Sequence, residues 1–179
     1  MSTPATDVRF TDRAATALGS IRRLVVPTDL PGIECLDVAR EVVRRAAKAE
    51  DFEVVLYDRS AETWMDHPHP SGPHRADDLS DDFAALAEQL RGLEAEGINA
   101  SGWISTVPSL TEIAQAVEQT GADAVLLPEP SCDRTLVDRL TGTGDQNEDV
   151  AKSIDTNATR RVVVLEIDDG EVDLVTETG

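Results

Sequence analysis

Phosphate chemistry, if this chain performs any, belongs to the stretch LLPEPSCDRTLVDRLTGTGDQNED, from Leu126 to Asp149. It follows a short apolar run, where many nucleotide-binding α/β domains place a glycine-rich loop. Glycines there let backbone N–H groups approach phosphate closely, and the helix that follows adds partial positive charge at its N-terminus. In this chain the loop positions are Pro128, Glu129, Pro130, Ser131, Cys132, Asp133 and Arg134. Prolines remove donors, and carboxylates repel phosphate. Glu148 and Asp149 stand where the last helix begins. A carboxylate about 6 Å from a phosphate costs roughly 0.7 kcal/mol at the dielectric of water, and more in a crevice. Glu129, Asp133, Glu148 and Asp149 all oppose affinity in this way, and Arg134 and Arg139 offset only part of it. The turn Gly142-Thr143-Gly144 supplies a displaced phosphate loop only if several residues between it and the helix are an insertion.

Other constellations carry less. His67, His69 and His74 cluster near Asp66, Asp77 and Asp78, and imidazoles at that density can bind zinc or copper. Prolines beside all three oppose a compact ligand geometry, and the spacing matches no zinc signature, so a solvated loop and no metal site is the reading. DQNED begins like a calcium loop but has Val150 at the sixth position, where glycine is required, and Thr156 at the twelfth, where glutamate is required. Cys35 and Cys132 follow neighbouring strands near helix starts, where thiolates are favoured, which makes a redox pair conceivable. Cys35 also shares a helical stripe with Ala39, Val42 and Ala46, which makes it a small buried apolar side chain. The histidines sit in an irregular segment, so no Ser-His-Asp set or catalytic carboxylate pair is supported, and no enzyme activity is expected.

The elements that must position these residues alternate regularly. RRLVVPTD ends a buried strand at Pro27, and Gly32 to Ala49 follows as an amphipathic helix with Leu36, Ala39, Val42, Val43 and Ala46 at helical spacing. Phe52 to Asp58 is a second strand, and Ala61 to Asp78 has no period and is expected to be a mobile loop. Asp81 to Glu96 is a second helix stopped by Gly97, INASGWISTV a third strand, and Ser109 to Gln119 a third helix stopped by Gly121. DAVLLPEP is strand four, Asp149 to Thr156 the last helix, and RRVVVLEI strand five. The Asp169-Gly170 turn then predicts a hairpin, with an antiparallel C-terminal strand within residues 168–179. Residues 1–20 read as an N-terminal extension, with TDRAATALGS as a short helix capped by Thr11.

In this order of elements the chain resembles the universal stress protein family. Four passages carry the resemblance: RRLVVPTD, LAEQLRGLEAEGI, EIAQAVEQTGADAVLLPEP and VAKSIDTNATRRVVVLE, within Ile21 to Ile167. It implies an α/β domain over residues 21–179, with an open parallel five-stranded sheet in the order 3-2-1-4-5 and helices on both faces. Strands one and four then flank the topological switch point, where open α/β sheets take ligands. Nucleotide-binding members carry a G-x-x-G loop after strand four and a later Gly-Ser or Gly-Thr, the positions where this chain has prolines and acids. Pro27, Thr28 and Asp29 match the family residues that border adenosine, although Thr and Asp at a strand end also commonly cap the next helix or turn. With Asp58 at the end of strand two, these residues complete the candidate crevice.

Two functions are expected. The first is a non-catalytic stress or regulatory module with a degenerate ATP site and no cofactor, acting through dimerisation or a protein partner. The alternative is an adenine-nucleotide sensor, binding ATP or AMP through Pro27, Thr28, Asp29 and the Gly142 to Gly144 turn. Family members commonly pair through the fifth strand, here Val162 to Ile167, so the expected homodimer uses that edge and the C-terminal strand.

Composition bounds the partners. The formal charge is -19, from 35 acidic and 16 basic side chains, and such a surface repels nucleic acid and anionic membrane. Lys48 and Lys152 are the only lysines, so a high-salt cytosol and a GC-rich genome are both open as origins of the bias. At 40% hydrophobic but 3% aromatic, the chain builds its core from Val, Leu, Ile and Ala. The N-terminus lacks a basic start and an apolar core, and no run reaches about 18 apolar residues, so a cytoplasmic location is expected.

Overall fold

The computed structural model describes residues 8–28, 33–48, 51–58, 72–105, 112–127, 150–152, 154–155, 160–168 and 170–178. The strands are β1 (Arg9–Phe10), β2 (Arg23–Pro27), β3 (Glu53–Asp58), β4 (Pro73–His74), β5 (Asn99–Ile104), β6 (Ala124–Leu127), β7 (Val162–Asp168) and β8 (Glu171–Thr178). The helices are α1 (Asp12–Leu18), α2 (Ile33–Ala46), α3 (Ala84–Ala95) and α4 (Ile113–Thr120), and residues 150–152 and 154–155 are also helical.

One mixed sheet of eight strands runs β1-β8-β7-β6-β2-β3-β5-β4, which corrects the expected five-stranded sheet in strand count: further strands extend both edges, and the expected 3-2-1-4-5 order lies within it as β5-β3-β2-β6-β7. The five apolar strands of the sequence lie side by side and parallel inside that longer order. The antiparallel C-terminal strand expected from the Asp169-Gly170 turn is present, and β1 and β4 are additions at the two edges. β8 folds back antiparallel on β7 through Gly170, whose φ of 73° suits glycine, and β1 then adds in parallel along β8. At the other edge, residues 73–74 of the segment expected to be a mobile loop pair antiparallel with β5 as β4. Pro73 is tolerated because β4 is an edge strand.

Burial explains the helices. Leu24, Val26, Val54, Leu56, Leu126 and Leu165 point to one face, which α1, α2 and α3 cover. Val25, Val55, Tyr57, Val125 and Val164 point to the other, which α4 and the helical residues Val150, Ala151 and Ile154 cover. Strands buried on both faces read as continuous apolar runs, which is why their sequences showed no alternation. The first helix is capped as expected, with the Thr11 hydroxyl accepting from the Ala14 N–H at 3.2 Å. Ala14 and Leu18 are buried in the same core as Leu24, so the N-terminal segment is part of the domain's packing.

The amino ends of the strands are tied by charge. The Arg23 guanidinium donates to Glu53 Oε2, with contacts of 2.9 and 2.7 Å, and also to the Thr120 carbonyl at the end of α4. Ser101 Oγ donates to Glu53 Oε1 at 3.0 Å, so β2, β3, β5 and α4 share one polar cluster. Arg160 donates to the Val117 carbonyl at 2.9 Å, placing a second cation at the negative end of α4.

Candidate functional site

The chain crosses the sheet between β2 and β6. β2 leads to α2 on one face, whereas the helical residues 150–152 and 154–155, later in the chain than β6, lie on the other. The two strands pair in parallel, Leu24 with Ala124 and Val25 with Val125, so their carboxyl ends flank the switch point directly.

Of the residues assigned to the crevice from the sequence, three lie among the described residues. Pro27 is the buried last residue of β2, in register with Tyr57. Thr28 is half-buried, and its N–H donates to the Tyr57 carbonyl at 2.9 Å, holding the chain's exit from β2 against β3. Asp58 ends β3, and its carbonyl accepts from the Ser105 N–H at 2.7 Å. Pro27 and Thr28 thus stand at the switch point, with Asp58 one strand away. Asp29, Glu129, Pro130, Ser131, Arg134, Gly142, Gly144, Glu148 and Asp149 lie outside the described residues, as do Cys132, His67 and His69. His74 is on β4 at the opposite end of the sheet order from β7.

The structure adds a polar chain that the sequence did not signal. Tyr57 Oη donates to Ser105 Oγ at 2.9 Å, and Ser105 Oγ donates to Glu112 Oε2 at 3.0 Å. Tyr57 is fully buried and Ser105 only 5% exposed, so the bond between them runs in a dry setting where it is stronger than in water, and the Ser105–Glu112 bond at the start of α4 is part-buried. The three residues join the carboxyl ends of β3 and β5 to the start of α4. Their chemistry is positioning: the serine proton is directed to a carboxylate and its oxygen accepts from a phenol, which fixes the rim next to Pro27.

No helix among the described residues is long and apolar enough to cross a membrane. No protein-family model matches the chain, and no curated protein matches it. Among solved structures the chain is similar to a universal stress protein in complex with cAMP, at 14% identity and a TM-score of 0.47, covering 83% of this chain and 97% of that one. It is similar to the hypothetical protein MJ0577, at 15% identity and a TM-score of 0.47 over 83% and 97% of the two chains. It is also similar to the hypothetical protein PH0823, at 18% identity and a TM-score of 0.39 over 81% and 96%.

Proposed function

We propose that the chain is a non-catalytic regulatory module of the universal stress protein type, whose switch-point crevice no longer holds a nucleoside triphosphate. The observation that carries the reading is the place of Pro27 and Thr28 at the carboxyl end of β2, beside β6. A phosphate site built there needs donors from the segment that follows β6. In sequence that segment supplies Pro128, Glu129, Pro130 and Asp133, then Glu148 and Asp149.

Calorimetry tests the proposal. The unmodified protein is expected to bind ATP no more tightly than about millimolar and to purify without adenine absorbance. The fourfold variant Pro128→Gly, Asp133→Gly, Glu148→Gly, Asp149→Ser removes three carboxylates, at about 0.7 kcal/mol each in water. Roughly 2 kcal/mol regained is about thirtyfold in affinity, and Asp29→Ala in that background should weaken it again. Tight ATP binding by the unmodified protein would instead establish the adenine-nucleotide sensor, with the Gly142 to Gly144 turn on the phosphates.

Action through a partner is the other half of the proposal. β8 covers the edge of β7 within the chain, and among the described residues β1 pairs with Glu171 and Val172 of β8 alone. Two copies are proposed to pair along the rest of β8. Each carries a charge of -19, so pairing should strengthen as salt screens the repulsion. Sedimentation is expected to give twice the monomer mass at about 1 M salt, where the screening length is roughly 3 Å; a monomeric mass at every salt concentration rules the dimer out.

A further inference from the structure

We propose that the groove between α2 and α3, which reaches Pro27 and Thr28 at the rim of the switch-point crevice, is a binding site for an uncharged, mainly apolar small molecule. The groove, open to solvent along one side, offers about 610 Å³, a volume typical of small-molecule sites. Its floor is the sheet. Val26 and Leu56, paired across β2 and β3, keep 4% and 6% of their surface exposed, whereas Leu24 and Val54, one pair further back on the same face, are at 0%. The residual exposure faces the groove, where Val43 of α2 and Ile98 add further apolar wall.

The groove is not a gap that the neighbouring side chains fail to reach by accident of one rotamer. The α3 wall presents the small residues Ala85 and Gly92 among Glu88, Gln89 and Leu93. Glycine weakens a helix interior relative to alanine, so Gly92 asks for a reason. No steric one exists: a Cβ built on Gly92 meets nothing within 4 Å. What its absence preserves is open volume over an apolar floor.

Charge selects the ligand class. α2 contributes Arg40 and Arg44 to the walls, and α3 with the residue that caps it contributes Glu88 and Glu96, two of each sign. Arg44 and Glu96 bridge the walls at 3.3 Å, with both side chains half exposed, so the bridge is weak and can part for a ligand. An anion gains nothing from balanced walls and is repelled by the chain's charge of -19. A cation would give up hydration over an apolar floor. A neutral apolar body incurs neither cost and gains by covering Val26, Leu56 and Val43.

A matched pair of fluorescent probes tests this: N-phenyl-1-naphthylamine, which is neutral, and 1-anilinonaphthalene-8-sulfonate, the same ring system carrying one negative charge. The intact protein is expected to bind the neutral probe saturably at one site in the micromolar range and the sulfonate at least tenfold more weakly. Gly92→Leu places a better helix former in open space, so the fold should persist while affinity for the neutral probe falls at least tenfold. Ala85→Leu on the same wall is a second block and should act in the same direction. Absence of saturable binding by the folded protein overturns the proposal, as does equal affinity for the two probes. Unchanged neutral-probe binding in a folded Gly92→Leu or Ala85→Leu variant overturns it too. None of these readouts involves ATP, so the fate of the degenerate-crevice reading is decided separately.

Discussion

A chain that begins at Ser20 is expected to lose about 5 kcal/mol of stability, much of what a domain of this size has. The deletion removes β1 and α1, and with them Leu18 at 1% exposure and Ala14 at 0%. Burying a leucine side chain contributes about 2–3 kcal/mol, and alanine less than 1. The loss does not end there, because Val172 and Leu174 of β8 belong to the same cluster and are uncovered. About 100 Å² of newly wetted apolar surface adds roughly 2.5 kcal/mol. Three polar ties go as well: the β1 pairing with β8, the Thr11 hydroxyl donating to Asp173 Oδ1 at 2.9 Å, and Arg45 stacked 4.4 Å from the Phe10 ring centroid. Urea unfolding should show the midpoint falling by about 2 M or more, given slopes near 2 kcal/mol/M. Leu18→Ala alone isolates the core term and should cost about 3 kcal/mol. Removing only the residues before Asp7 should leave the midpoint in place. An unaltered midpoint in the chain starting at Ser20 would mean that α1 does not pack on β8 in solution.

The same segment shows where sequence reading stops. Thr11 as a cap and the helix after it were legible because capping is local: one hydroxyl, one N–H three residues on. That Arg9 and Phe10 would pair with Glu171 and Val172 was not, because a parallel partner some 160 residues away leaves no mark in the local pattern, and two residues carry no period. β4 was missed for the same reason, with Pro73 arguing against a strand anywhere but at an edge. The five inner strands announced themselves through continuous apolar runs. Gly97 and Gly121 stopped their helices with φ of 81° and 75°, as the sequence led one to expect.

The site was less legible than the fold. Pro27 and Thr28 could be placed because a strand end is a topological position, and topology followed from the order of elements. Tyr57, Ser105 and Glu112 could not, since 48 residues separate the first two and only the alignment of β3 with β5 brings them together. Periodicity likewise told which stripe of α2 and α3 faces the sheet, but not how far apart the helices stand. That distance is set by how closely each helix settles on its own strands, and at β5 a glycine decides it.

Gly102→Val should therefore be among the most damaging substitutions in the domain, at about 3 kcal/mol. A Cβ at Gly102 would lie 2.9 Å from Leu86 Cδ2, 3.3 Å from Leu86 Cγ and 3.4 Å from Leu90 Cδ1. Those leucines cannot swing aside, because they are 1% and 0% exposed and held between α3 and the sheet. Valine adds two more methyls to that overlap, and the higher strand propensity of valine, at most about 1 kcal/mol, does not compensate. A double-mutant cycle identifies the cause. Leu86→Ala by itself should cost about 3 kcal/mol through the cavity it leaves. Combined with Gly102→Val, it opens the space the new methyls need, so the double variant should be more stable than the sum of the two losses by at least 1 kcal/mol. Additivity within about 0.5 kcal/mol would show that the strain lies in the β5 backbone instead. Because α3 is also one wall of the α2–α3 groove, lifting it from β5 should change neutral-probe affinity in Gly102→Val and restore it in the double variant, which ties the width of that groove to one missing Cβ on the sheet beneath.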